Sequence, residues 1–115
     1  MARVLLVQPH DDLRWKKPKP DPCTPLSLVL IGTAIEDKHQ VKIYDRNLDV
    51  SDKNFISFVK KYNPDIIGFT AMTSLMLLDV IHLGKLIKEV FPKKIVVVGG
   101  IHATLEPNSF LNEHY

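Results

Sequence analysis

An open α/β fold with a parallel sheet is what this chain predicts, on three observations. Apolar runs and helical stripes alternate along its 115 residues as strand, helix, strand, helix, strand, helix, strand. The last run, Ile95-Val-Val-Val98, is continuously apolar, as in a strand covered by helices on both faces. It ends in Gly99-Gly100, and glycines just past a strand let another molecule approach the backbone closely.

The first strand is Arg3 to Pro9, expected at the sheet centre. A segment from His10 to Thr24 follows, in which Pro18, Pro20 and Pro22 forbid regular helix. Thr24-Pro25 reads as a helix N-cap followed by proline at the first helical position, with the helix running to about Lys38. Gln40 to Asp45 alternates Val41 and Ile43 with polar neighbours, which places this strand at the sheet edge.

Ser51 is the expected cap of a second helix, whose apolar stripe is Phe55, Phe58, Val59 and Tyr62. Asn63-Pro64 stops it. A third strand begins at Asp65 and opens into a polar loop ending at Ser74, with Gly68 marking a close approach. A third helix spans about Leu75 to Phe91, with Met76, Val80, Leu83 and Ile87 on one face, and Pro92 closes it. One of Thr70, Thr73 and Ser74 is expected to cap it. After Thr104 a turn and part of a helix are expected, with no fifth strand.

Right-handed crossovers then give the flavodoxin-like, Rossmann-like strand order 2-1-3-4, cut short before a fifth strand. The whole chain, 1–115, reads as one domain and as a piece of a longer protein. The fourth strand has the composition of an interior strand yet falls at an edge. Pairing with a second copy through that edge, or cover by the C-terminal tail, is therefore expected.

Composition excludes several function classes. Hydrophobic residues at 45% and charged residues at 24% match a globular domain. No apolar run is long enough for a membrane span, and the N-terminus turns polar too soon for a signal peptide. A net charge of +2, with clustering only at Lys16, Lys17 and Lys19, gives no nucleic-acid stripe. The single cysteine, Cys23, fits a reducing cytoplasm and cannot hold an iron-sulfur cluster alone.

The loops at the strand ends exclude more. The segment after the first strand lacks the glycines of a dinucleotide or P-loop site, and lacks the Ser/Thr/Gly cluster of a flavin phosphate cradle. Asp11 and Asp12 suggest a magnesium-binding receiver domain, but Phe69-Thr70-Ala71 stands where its phosphoacceptor aspartate belongs, so a solvated loop is the reading. His10, His82 and His102 match no zinc spacing. His82 falls on the polar side of its helix, whereas His10 and His102 fall at the carboxyl end of the sheet, where ligands of such folds bind. Thr70 to Ser74 and Gly99-Gly100 line one shelf there.

Taken together, Thr24 to Asp45, Asn63 to Ser74 and Lys93 to Thr104 resemble the N-terminal cobalamin-binding domain of cobalamin-dependent radical S-adenosylmethionine enzymes. The similarity runs from Arg3 to Pro107; its most specific parts are Pro25-Leu26, Asn63 to Gly68, and Gly99-Gly100 followed by His102-Ala103-Thr104. The resemblance implies a corrin ring over the strand ends near Pro9 and His10, with a nucleotide tail beside the third and fourth strands. Thr70, Ala71, Met72, Thr73, Ser74 and Leu75 would bond the tail. Gly99 and Gly100 would leave room for it, and Ile101, His102 and Thr104 would contact the corrin periphery or the tail.

Two departures from the family pattern stand out. The Asp-x-His-x-x-Gly motif that supplies a histidine to cobalt is replaced by His10-Asp-Asp-Leu-Arg-Trp15, which implies cobalamin bound base-off with no protein histidine on cobalt. His10 is the residue that would supply one if any did. Ile101 stands where proline is frequent, which alters loop stiffness. The fragment carries no catalytic residue; the implied full-length protein is a methyltransferase, with its iron-sulfur cluster and S-adenosylmethionine in an absent C-terminal radical domain. The alternative is a signalling or interaction domain without corrinoid.

Overall fold

Four parallel strands in the order β2-β1-β3-β4 form the sheet of the computed structural model, which describes residues 1–11, 24–72 and 74–111. The elements are β1 (Arg3–Gln8), α1 (Leu26–Ile35), β2 (Gln40–Asp45), α2 (Asp52–Tyr62), β3 (Ile66–Thr70), α3 (Met76–Val90), β4 (Ile95–Gly99), α4 (Ile101–Leu105) and α5 (Asn108–Leu111). This is the flavodoxin-like arrangement expected. Register places Val4 between Val41 and Ile66, Leu6 opposite Gly68, and Gly68 opposite Val97.

The crossovers decide which face each helix covers. The connection from β1 to β2 runs one way and the next two run the other, so right-handedness sets α1 on one face and α2 with α3 on the opposite face. Leu5, Val7, Ile67 and Phe69 of the sheet pack with Phe55, Val59, Val80, Leu83 and Ile87 of the two helices in the main core. The second core is small: Val4 and Leu6 against Leu28 of α1.

Capping follows the expected chemistry at α2 and departs from it at α1. The Ser51 hydroxyl accepts the Asn54 N–H at 3.1 Å, and Asn63 closes α2 with φ 52°, its N–H donating to the Val59 carbonyl. Ser51→Ala is expected to cost about 1 kcal/mol, read as a lowered urea midpoint, because one amide at the helix start loses its acceptor. Helix α1 starts one residue later than expected and ends at Ile35, short of Lys38. Pro25 holds the cap position, with no side-chain cap from Thr24. At α3 Leu75 holds the cap position with no side-chain cap bond; Ser74, one residue before it, accepts the Met76 N–H on its Oγ at 3.2 Å.

The expectation that β4 is covered on both faces is corrected. Val96 and Val98 pack against the main core, but Ile95 is 57% exposed and Val97 50%. Helix α1 packs over β1 and β2, away from β4, and no other described helix lies on that face. Leu26 and Leu30 of α1 are exposed as well, at 64% and 63%. Helix α1 thus carries apolar residues on its solvent side as well as on the side facing the sheet. Among the described residues β4 pairs with β3 alone, and the described chain beyond it reaches the main core, where Phe110 is buried. No described helix is long and apolar enough to cross a membrane.

Candidate functional site

Between α1 and the open face of the sheet lies a cleft of about 440 Å³. Val4, Leu6, Gly68 and Val97 form its floor, Leu28 and Ile31 its wall, and Thr70, Gly99 and Gly100 the end at the strand termini. In α/β sheets of this topology, ligands bind at these carboxyl ends, beside the switch point between β1 and β3.

Three glycines shape the cleft differently. A Cβ on Gly68 would stand 3.2 Å from Leu6 Cδ2, so the absent side chain is what lets floor residues lie flat. At Gly99 a Cβ would meet nothing within 4 Å: the space beside it is open. Gly100 is the opposite case. Its φ of +98° is a backbone conformation that side chains rarely adopt, and a Cβ would come within 2.6 Å of the Ala71 carbonyl oxygen. Gly99 leaves room for a ligand, whereas Gly100 leaves room for the protein's own backbone.

That close approach joins two loops. The Ala71 N–H donates to the Gly99 carbonyl at 2.9 Å, and the Ala71 carbonyl accepts the His102 N–H at 3.3 Å. Of the expected contact residues, the structure therefore brings Thr70, Gly99 and Gly100 to one cleft. Ala71 is fully buried beneath it, while Met72 and Leu75 are 56% and 39% exposed. The Ser74 hydroxyl is engaged by the Met76 N–H, and Thr73 lies outside the described residues.

The stretch Ile101 to Thr104, expected as a loop, is the helix α4. Ile101 faces solvent, and the Thr104 hydroxyl donates to the Gly100 carbonyl at 3.0 Å. His102 turns inward: its Nε2 lies 2.8 Å from Ser109 Oγ and its ring meets Phe110 edge-on. It ties α4 to α5 and does not line the cleft. Pro9 and His10 are buried at the end of β1, and His82 pairs at the surface with Asp52, Nε2 to Oδ2 at 2.6 Å.

Sequence reasoning missed the polar centre beneath the β1 exit. Arg46, 1% exposed, meets Asp79, which is fully buried, through Nε at 3.2 Å and Nη2 at 3.0 Å. Its Nη1 donates to the Val50 carbonyl and its Nη2 also reaches Asp52. Burial disfavours the guanidinium charge, but the bonds and charges of Asp79 and Asp52 outweigh it and raise the Arg46 pKa above its usual value. The signal was present in the α3 pattern: Asp79 interrupts the stripe of Met76, Val80 and Leu83, and an acid at a core position needs a buried partner.

Chemically, the cleft is mostly apolar, with Thr70 and glycine backbone at the strand ends. Pockets of this kind, apolar with a few polar groups, are where small ligands bind. Among the described residues no group of three or more His, Cys, Asp or Glu is placed to hold a metal ion.

Comparison with known proteins agrees with this geometry. The chain is 32% identical over 114 residues to the uncharacterized methyltransferase PH0819 of Pyrococcus horikoshii, covering 98% of this chain and 25% of that protein. It is 29% identical over 132 residues to the cytidylyl-2-hydroxyethylphosphonate methyltransferase of Streptomyces wedmorensis, covering 96% and 24%. The chain thus spans about a quarter of the length of these curated relatives. No solved structure matches it significantly. The family model of the B12 binding domain matches residues 20–114, most of the chain and both loops of the cleft, and this protein belongs to that family.

Proposed function

We propose that this chain binds cobalamin base-off, with the nucleotide tail in the cleft between α1 and the sheet and the corrin ring over the strand ends. The observation that carries this reading is the open space at Gly99, in a cleft that Thr70 also lines, in a chain of the B12-binding family. Leu6, Leu28 and Val97 supply apolar walls for the base of the tail, and Thr70 a hydroxyl for its polar linkage. When bound, cobalamin supplies a cobalt centre that accepts and passes on a methyl group.

The complete protein is, in this reading, a radical S-adenosylmethionine methyltransferase. The methyltransferase names of both relatives support the methyl-transfer part, and their roughly fourfold greater length leaves room for a further domain; the radical part rests on the resemblance in sequence. Its iron-sulfur cluster and S-adenosylmethionine would belong to the part beyond this domain. The exposed apolar flank of α1 and β4 is the surface against which that part, or a second copy, would pack.

Hydroxocobalamin mixed with the protein, followed by desalting, is the test. Retained corrin absorbance of the base-off type is expected; a colourless protein at cobalamin concentrations on the order of tens of micromolar would overturn the reading. Gly99→Leu is expected to weaken retention by about tenfold or more, since the side chain occupies the cleft, while the unfolding midpoint stays unchanged.

A further inference from the structure

The cleft runs the length of the sheet's open face. Thr70, Gly99 and Gly100 line it at the strand ends, together with Ser27 from the start of α1, and Ala2, Ile35, His39 and Ile66 line the opposite end. Strand β3 joins the two ends with five residues, about 13 Å from first to last. At the far end the polar side chain is that of His39.

One bond fixes the state of its ring. The Ala2 backbone N–H can only donate, and it meets His39 Nδ1 at 3.0 Å. Nδ1 is therefore the bare nitrogen, and the ring in this arrangement is neutral with its hydrogen on Nε2. Backbone bonds hold the residue in place: the His39 N–H donates to the Ile35 carbonyl at 3.0 Å, and the next amide, Gln40, donates to the Ala2 carbonyl at 3.0 Å. Among the described residues, Nε2–H meets no acceptor. A leftover donor at the end of a mostly apolar cleft calls for an acceptor on the occupant, because a ligand that covers it without bonding it strands a polar group.

A base-off corrinoid brings such an acceptor. Its lower base, released from cobalt, keeps a ring nitrogen with a free lone pair. We propose that His39 is a specificity-determining residue of the cleft: its Nε2–H donates to that ring nitrogen, so the domain prefers corrinoids whose lower base is a nitrogen heterocycle over those whose lower base is a phenol. The inference rests on the cobalamin reading. Thr70 serves the polar linkage at one end and His39 the base at the other, with Leu6, Leu28 and Val97 between them.

The test compares two ligands on the full chain: cobalamin, whose lower base is dimethylbenzimidazole, and the cobamide whose lower base is p-cresol and has no ring nitrogen. Equilibrium binding followed by corrin absorbance is expected to favour cobalamin by about tenfold, the effect of one hydrogen bond whose loss leaves a donor unpaired. His39→Leu is expected to bring the two affinities within about twofold of each other. In proton NMR of the wild type, the His39 ring N–H should exchange with water more slowly in the cobalamin complex than in the p-cresol cobamide complex.

Equal affinity of the wild type for the two corrinoids, or a preference for the phenolic one, would overturn the role of His39 and leave the cobalamin reading standing. So would a preference for cobalamin that survives undiminished in folded His39→Leu. If that variant does not fold, the wild type decides: a ring N–H that exchanges equally fast in both complexes overturns the role. A wild type that retains neither corrinoid overturns both readings.

Discussion

Asp79→Ala is expected to destabilise the fold by about 3–5 kcal/mol, the range for removing one partner of a buried ion pair. The loss is not the worth of the pair itself. Arg46, 1% exposed, would remain charged and buried with, among the described residues, the half-exposed Asp52 and the Val50 carbonyl as partners. The His10 N–H would lose its acceptor as well. Urea unfolding measures the effect. Replacing both ends, Arg46→Met with Asp79→Leu, should cost less than Asp79→Ala alone, because no unpaired charge is left behind. A single variant within 1 kcal/mol of wild type would show that water reaches Arg46 and that the pair does not hold β2 to α3.

Gly100→Ala is the second large effect, about 3 kcal/mol. The combination of φ +98° and ψ −179° belongs to a region essentially confined to glycine, at a cost of about 1–3 kcal/mol for any other residue. The methyl group would in addition stand 2.6 Å from the Ala71 carbonyl oxygen and 3.0 Å from its nitrogen. Both contacts are with backbone, which cannot move aside without parting the two loops that Ala71 joins. Gly99→Ala, one residue earlier, meets open space and should change stability by no more than about 0.5 kcal/mol. Thermal or urea unfolding of the two variants side by side separates a glycine required by the fold from one that the fold does not require. Equal stabilities would contradict the assignment.

Much of the fold was legible because the relevant forces are local or periodic. The stripe of Phe55, Phe58, Val59 and Tyr62 and that of Met76, Val80, Leu83 and Ile87 report one apolar face per helix, and Ser51 and Asn63 report the ends of α2. The alternation in β2 reported an edge. The same logic misread β4, because a continuous apolar run says that a strand is to be kept from water but not what keeps it so. Ile95 and Val97 are half-exposed, and the described helix on their side, α1, lies over β1 and β2.

The site was legible in outline for a related reason. Glycines after a strand mark space, and the spacing of loops marks the carboxyl ends of a sheet; Thr70, Gly99 and Gly100 do meet there. Their separate duties were not readable, since Gly99 and Gly100 differ only in what stands opposite them. His102 was equally ambiguous: its partners Ser109 and Phe110 come from a helix the sequence marked only faintly.

By itself, then, the sequence determined the order of elements as far as β4, the strand order that right-handed crossovers impose, and the end of the sheet where a ligand can lie. Tertiary structure alone decided that Arg46 pairs with Asp79, that His102 turns inward, and that α1 and β4 leave an apolar flank exposed. The division has a physical cause. Periodicity and turn chemistry are properties of neighbouring residues, whereas a buried charge, a backbone contact and an uncovered face depend on which distant segment arrives opposite.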